Sequence, residues 1–141
     1  VTWFAFHANQ DVNLLRTLSQ KGLVPKRLEA NSSTIIAKNI QHAQDIFSDA
    51  SLVVAMRLHA FILSTVSQCP TVALSYDPKV EAAAQTADAP WLDLAHLPSL
   101  EGIILQWSDC MSQIPSKSHL QGIQRQAYKH EQALKSTLKD I

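Results

Sequence analysis

Glycine is scarce in this chain. Only Gly22, Gly102 and Gly122 occur among 141 residues, so neither common glycine-rich phosphate loop can be built. Cysteine is scarcer still. Cys69 and Cys110 are too few for a disulfide framework and have no metal-ligand spacing, which leaves two reduced, partly buried thiols as the reading. An excess of charge is also missing, since 12 Lys and Arg balance 12 Asp and Glu. That balance removes any bulk argument for nucleic acid or an acidic membrane, though not for a local positive pocket. The longest apolar runs, Leu52 to Met56 and Ala60 to Leu63, stop well short of the roughly 20 residues that cross a bilayer. No secretory leader is visible. Aromatics make up 6% of the chain, and Trp3, Trp91 and Trp107 are too scattered to form a stacking platform for bases.

What is present is a 46% apolar content with 17% charged residues in a length suited to a single core. The chain opens at Val1 in residues that already look like a core strand, so a piece of a longer protein is expected. "VTWFAFH" reads as a strand from Val1 to about Phe6. Val12, Leu14, Leu15 and Leu18 form one helical face, with Asp11 as cap and Gly22 as stop. "LVPKRLEA" reads as a short extended segment, and the periodicity of Ile36, Ile40, Ala43 and Phe47 predicts a helix from Ser33. "LVVA", "PTVALS" and "WLDL" follow as strands, with "RLHAFILSTVSQ" and "PKVEAAAQTA" as helices between them. A helix bent around Gly102 is expected over Leu97 to Met111, and a long polar helix over Lys117 to about Lys139, capped by Ser116. Short apolar strands alternating with helices predict an α/β fold on a parallel sheet.

Chemistry concentrates after "LVVA". Arg57 and His59 follow that strand without Pro or Gly, at the strand end or in the first helical turn, where open α/β sheets bind ligands. Backbone N–H groups there favour an anion, and a guanidinium adds a bidentate donor. The competing reading is a structural ion pair for Arg57 and a satisfied core imidazole for His59. Asp77 before Pro78 is a well-formed helix start and reads first as a cap. Ser75, Tyr76 and Lys79 lie on the same connection, where Lys79 either neutralises a phosphate oxygen or is a solvated surface group. His7 closes the first strand and in a parallel sheet opens at the same edge. His42, His96, His119 and His130 show no partner spacing that suggests a metal and are read as surface groups.

"MRLHAFILSTVSQCPTVALSYDPKV" resembles the signature region of the polysaccharide pyruvyl transferase family, in its cell-wall polysaccharide branch. There an Arg-x-His motif ends one strand and "SYDPKV" the next. "FAFHANQD" and "DASLVVAMRLH" extend the resemblance, which runs from about residue 1 to 110.

The resemblance implies a Rossmann-like three-layer domain with a parallel sheet, the carboxyl-terminal lobe of a GT-B-type transferase. Residues 1–115 would form that lobe and 116–141 a helix packing on or beyond it. It implies transfer of the enolpyruvyl unit of phosphoenolpyruvate to two sugar hydroxyls, giving a ketal and phosphate, with no cofactor or metal required. Arg57 and His59 would be catalytic, Arg57 holding carboxylate or phosphate and His59 donating a proton or stabilising departing phosphate. Ser75, Tyr76, Asp77 and Lys79 would wall the site, with His7 as a further binding residue. The implied partners are phosphoenolpyruvate, a glycan or lipid-linked sugar acceptor and an amino-terminal lobe of the same protein. A homo-oligomer is compatible with the last helix, and the supply of phosphoenolpyruvate suggests a cytoplasmic enzyme or one at the inner face of the membrane. Two other readings stay open: a nucleotide-sugar-binding lobe of a GT-B glycosyltransferase, and a non-catalytic α/β interaction domain.

Overall fold

Parallel strands and intervening helices make up the computed structural model of the chain, which describes residues 1–6 and 8–112. They divide into two compact units, Val1–Ala43 and the residues from Gln44 onward.

In the first unit, β1 (Thr2–Ala5) pairs in parallel with β2 (Ser33–Ile36), in register from Thr2 with Ser33 to Ala5 with Ile36. Between them run α1 (Ala8–Asp11), α2 (Leu14–Gln20) and α3 (Lys26–Ala30). Asp11 belongs to α1, and the position before α2 is Asn13, whose side chain makes no capping bond. The stop at Gly22 is as expected: its φ is +68°, and the N–H groups of Gly22 and Leu23 close on the carbonyls of Ser19 and Leu18. That double closure is a Schellman end, which needs a left-handed residue.

Two assignments in this unit are corrected. "KRLEA", expected to be extended, is α3, because the carbonyl of Pro25 accepts the N–H groups of Leu28 and Glu29 at 2.8 and 3.0 Å and starts a helical turn. Proline lacks a donor but keeps its acceptor. The helix expected from Ser33 is a strand first, since the β-branched run Thr34-Ile35-Ile36 favours a pleated surface. The helix, α4 (Ile40–Ser48), begins only after Asn39, whose side chain accepts the His42 N–H at 2.8 Å.

In the second unit β3 (Val53–Ala55), β4 (Thr71–Ser75) and β5 (Trp91–Asp93) form one parallel sheet in sequence order. Their connections are α5 (Leu58–Val66) and α6 (Pro78–Thr86). Right-handed crossovers between successive neighbours put both helices on one face, where they pack together and on β4. The period-two alternation of β4 divides its side chains. Thr71 faces α5, with its Oγ1 3.0 Å from Ser64 Oγ, while Val72 and Leu92 join Cys110, Ile103 and Trp107 of α7 (Leu100–Ser112). Helix α7 runs unbroken through Gly102, whose N–H bonds to Ser99 Oγ at 3.2 Å, so the expected bend is absent and the helix starts at this serine cap.

The alternation of parallel strands and helices is consistent with the expected Rossmann-like α/β domain, but the expected single sheet is corrected. The described residues carry a two-stranded and a three-stranded parallel sheet in separate units. Alternation of strands and helices fixes parallel direction through the crossovers, but it does not say which strands share hydrogen bonds. The helix expected at 116–141 lies outside the described residues.

Candidate functional site

Strand order and register bring the connections after β3, β4 and β5 to one sheet edge. Ala55 pairs with Ala73, and Ser75 with Asp93. Arg57 follows the end of β3 by two residues, and neighbouring strands lie about 4.8 Å apart.

Arg57 occupies the position before α5 with extended backbone, φ −100° and ψ 136°, and is half-buried. Its side chain makes no capping bond to the helix, and its carbonyl accepts the Phe61 N–H at 3.0 Å. His59 is the second residue of α5 and is exposed. Both residues thus stand where the expectation put them, at a parallel strand's carboxyl end and in the first turn that follows.

The adjacent connection is built differently. Asp77 caps α6 by accepting the Lys79 N–H at 2.9 Å, with Pro78 in the first turn. Ser75 is buried, and its hydroxyl donates to the Asp77 carbonyl at 3.1 Å, so it shapes the turn. Tyr76 and Lys79 are exposed. Of the two helix starts at this edge, α6 carries its own carboxylate and α5 does not, which makes α5 the better receptor for an anion.

The third connection carries His96, which is a surface group as expected but has a partner that the sequence reading does not name. In the structure His96 Nδ1 lies 2.8 Å from Asp93 Oδ2. The other Asp93 oxygen accepts the Ala95 N–H at 2.8 Å. The His96 hydrogen bond first, and then the Ala95 N–H, hold the Asp93 carboxyl below its ordinary value of 3.8. The available signal was Asp-x-x-His directly after an apolar strand, in the same place as Arg57 after "LVVA".

His7 lies outside the described residues. Cys69 and Cys110 are free and buried, and burial pushes the Cys69 thiol up to about 11. Among the described residues no group of three His, Cys, Asp or Glu is arranged to hold a metal, and no helix is long and apolar enough to cross a membrane.

Comparison with curated proteins and with solved structures gives no match. A family model, polysaccharide pyruvyl transferase, matches residues 5–78. The match lies in the amino-terminal portion of the chain, which overturns the assignment to a carboxyl-terminal lobe, and it stops well before residue 110. It takes in Arg57, His59 and the Ser75–Asp77 turn, and leaves Lys79, Asp93 and His96 beyond its end. With just over half of its residues matched, the chain belongs to the polysaccharide pyruvyl transferase family.

Proposed function

We propose that the sheet edge after β3 and β4 binds phosphoenolpyruvate for transfer of its enolpyruvyl group to a polysaccharide hydroxyl. Family membership supports pyruvyl transfer in general. The observation that carries the donor site is the pairing of Arg57 and His59 at the uncapped start of α5 with the Tyr76–Lys79 connection on the neighbouring parallel strand.

The donor has a carboxylate and a phosphate, and the edge offers a guanidinium, an ammonium and helix N–H groups for them. Arg57 binds one anionic group in bidentate fashion, while Lys79 neutralises a phosphate oxygen as a point charge. Transfer requires a proton on the methylene carbon, which leaves an electron-poor C2 for the sugar oxygen to attack. His59, exposed in the first turn of α5, supplies that proton or stabilises the departing phosphate. Asp77 Oδ1 is engaged in the α6 cap, which counts against a nucleotide-sugar donor.

A residue-resolved NMR titration with phosphoenolpyruvate, with a nucleotide sugar as control, tests this reading. Saturable shifts at residues 57–59 and 76–79, lost in Arg57→Ala, are expected. Shifts with the nucleotide sugar alone would transfer the site to glycosyl chemistry.

A further inference from the structure

We infer that Asp93 and His96 form a general-base dyad for the attacking sugar hydroxyl, on the reading that the neighbouring connections hold the enolpyruvyl donor. Nothing in the family match reaches these residues, because it ends at residue 78.

The placement comes from the sheet. Asp93 is the last residue of β5 and pairs in register with Ser75 of β4. The connection after β5 is fastened to β4 by the Leu94 N–H, which donates to the Ser75 carbonyl at 2.9 Å. It is fastened to itself by the Ala95 N–H on Asp93 Oδ1 and the His96 N–H on the Asp93 carbonyl, at 2.8 and 3.1 Å. With neighbouring strands about 4.8 Å apart, the carboxyl end of β5 stands about 5 Å from that of β4 and about 10 Å from that of β3. An acceptor sugar approaching a donor held between the first two connections comes within reach of the third.

The chemistry comes from the pair itself. An ionised carboxylate only accepts hydrogen bonds, so the contact at 2.8 Å puts the neutral imidazole's proton on Nδ1. Nε2 is then the basic nitrogen, on a side chain that is 84% exposed. The carboxylate orients the ring and stabilises the imidazolium that forms when Nε2 takes a proton, the division of labour found in nucleophile-activating dyads and triads. An exposed pair at this spacing contributes little to stability, so the two roles are separable by experiment.

In the step assigned here, His96 Nε2 removes the proton of the acceptor hydroxyl as its oxygen bonds to C2 of the donor. C2 is electrophilic because its methylene carbon has been protonated. The C2–O bond to phosphate breaks with its electron pair when the second hydroxyl closes the ring. Of the two hydroxyl protons, one balances the proton gained at the methyl carbon, and the other leaves with phosphate.

The test is steady-state phosphate release with phosphoenolpyruvate and sugar acceptor. His96→Ala is expected to lower kcat by about 10²- to 10³-fold, with KM for phosphoenolpyruvate within about twofold and partial rescue by added imidazole. Asp93→Asn should lower kcat less, because Asp93 is a positioning residue. His96→Gln keeps a polar side chain at an exposed position and controls for folding. Wild-type kcat in His96→Ala and His96→Gln overturns the dyad, as does a fall in kcat that imidazole does not rescue. Donor binding in Arg57→Ala separates the two readings. If that variant binds phosphoenolpyruvate like wild type, the donor site fails whatever His96 does. If it loses binding while His96→Ala keeps its kcat, only the dyad fails.

Discussion

Arg57 and Lys79 carry the same charge, yet they are expected to respond differently to substitution. A guanidinium at the strand end binds a carboxylate or phosphate in two parallel hydrogen bonds, and an ammonium cannot. Arg57→Lys should weaken phosphoenolpyruvate about tenfold by calorimetry and Arg57→Ala by about 100-fold, each lost hydrogen bond to a charged group being worth about 1.5–3 kcal/mol. Lys79→Gln should have the smaller effect. Asp93 makes a pH prediction. Because its folded value is lowered from 3.8, its stabilising contribution is complete above that value and is lost as pH falls through the lowered one. A carboxyl-carbon NMR titration should place the midpoint below 3.8, and His96→Gln should move it upward. Cys69 has the opposite sign. A thiol raised from 9.0 to about 11 by burial stays protonated in the folded chain, so stability is unaffected below pH 9 and declines as pH rises from 9 toward 11. Comparing denaturant midpoints of the chain and Cys69→Ala across that range checks it.

At the scale of elements, the ends of α5 and α6 repeat the Schellman geometry of α2 without its glycine. Gln68 and Asp88 have φ of 58° and 52°. The N–H groups of Gln68 and Cys69 close on Thr65 and Ser64, and those of Asp88 and Ala89 on Gln85 and Ala84. Pro70 and Pro90 follow two residues later, where the chain must leave the helix and enter β4 and β5. A side chain in the left-handed region costs roughly 1–2 kcal/mol, and glycine returns part of that gain through its larger unfolded-state entropy. Gln68→Gly is therefore expected to stabilise the chain by about 0.5–1 kcal/mol, measured by urea unfolding, whereas Gly22→Ala should destabilise it. These ends fix where β4 and β5 begin, and hence which residues emerge at their carboxyl edge.

At the scale of the molecule, the two units differ in how well their sheets are covered. Central strand β4 has buried Thr71, Val72, Ala73 and Ser75 and helices on both faces, while β2 keeps three of four residues exposed. Amide exchange should be slowest at Val72 and Ala73 and markedly faster at Thr34 to Ile36, since local opening follows burial and packing. Phe61 is fully buried in α5, and Phe61→Ala should cost about 3–5 kcal/mol through lost transfer energy and a cavity. Loss of that much from a marginally stable domain would abolish ligand binding indirectly.

Strands β3, β4 and β5 and helices α5 and α6 were legible in the sequence, because each strand is a short apolar run and α6 starts at Asp77-Pro78. The sequence also determined that Arg57 and His59 stand at a strand end, since "LVVA" runs directly into them. The β2 strand escaped that reading because Ile36 and Ile40 share a helical phase across a cap at Asn39, and periodicity does not register the interruption. Which strands pair emerged only on folding, and with it the two separate sheets of the described residues. The same pairing set Asp93, the partner of His96, opposite Ser75. Register between strands depends on hydrogen bonds formed between distant residues, and no local pattern of side chains encodes them.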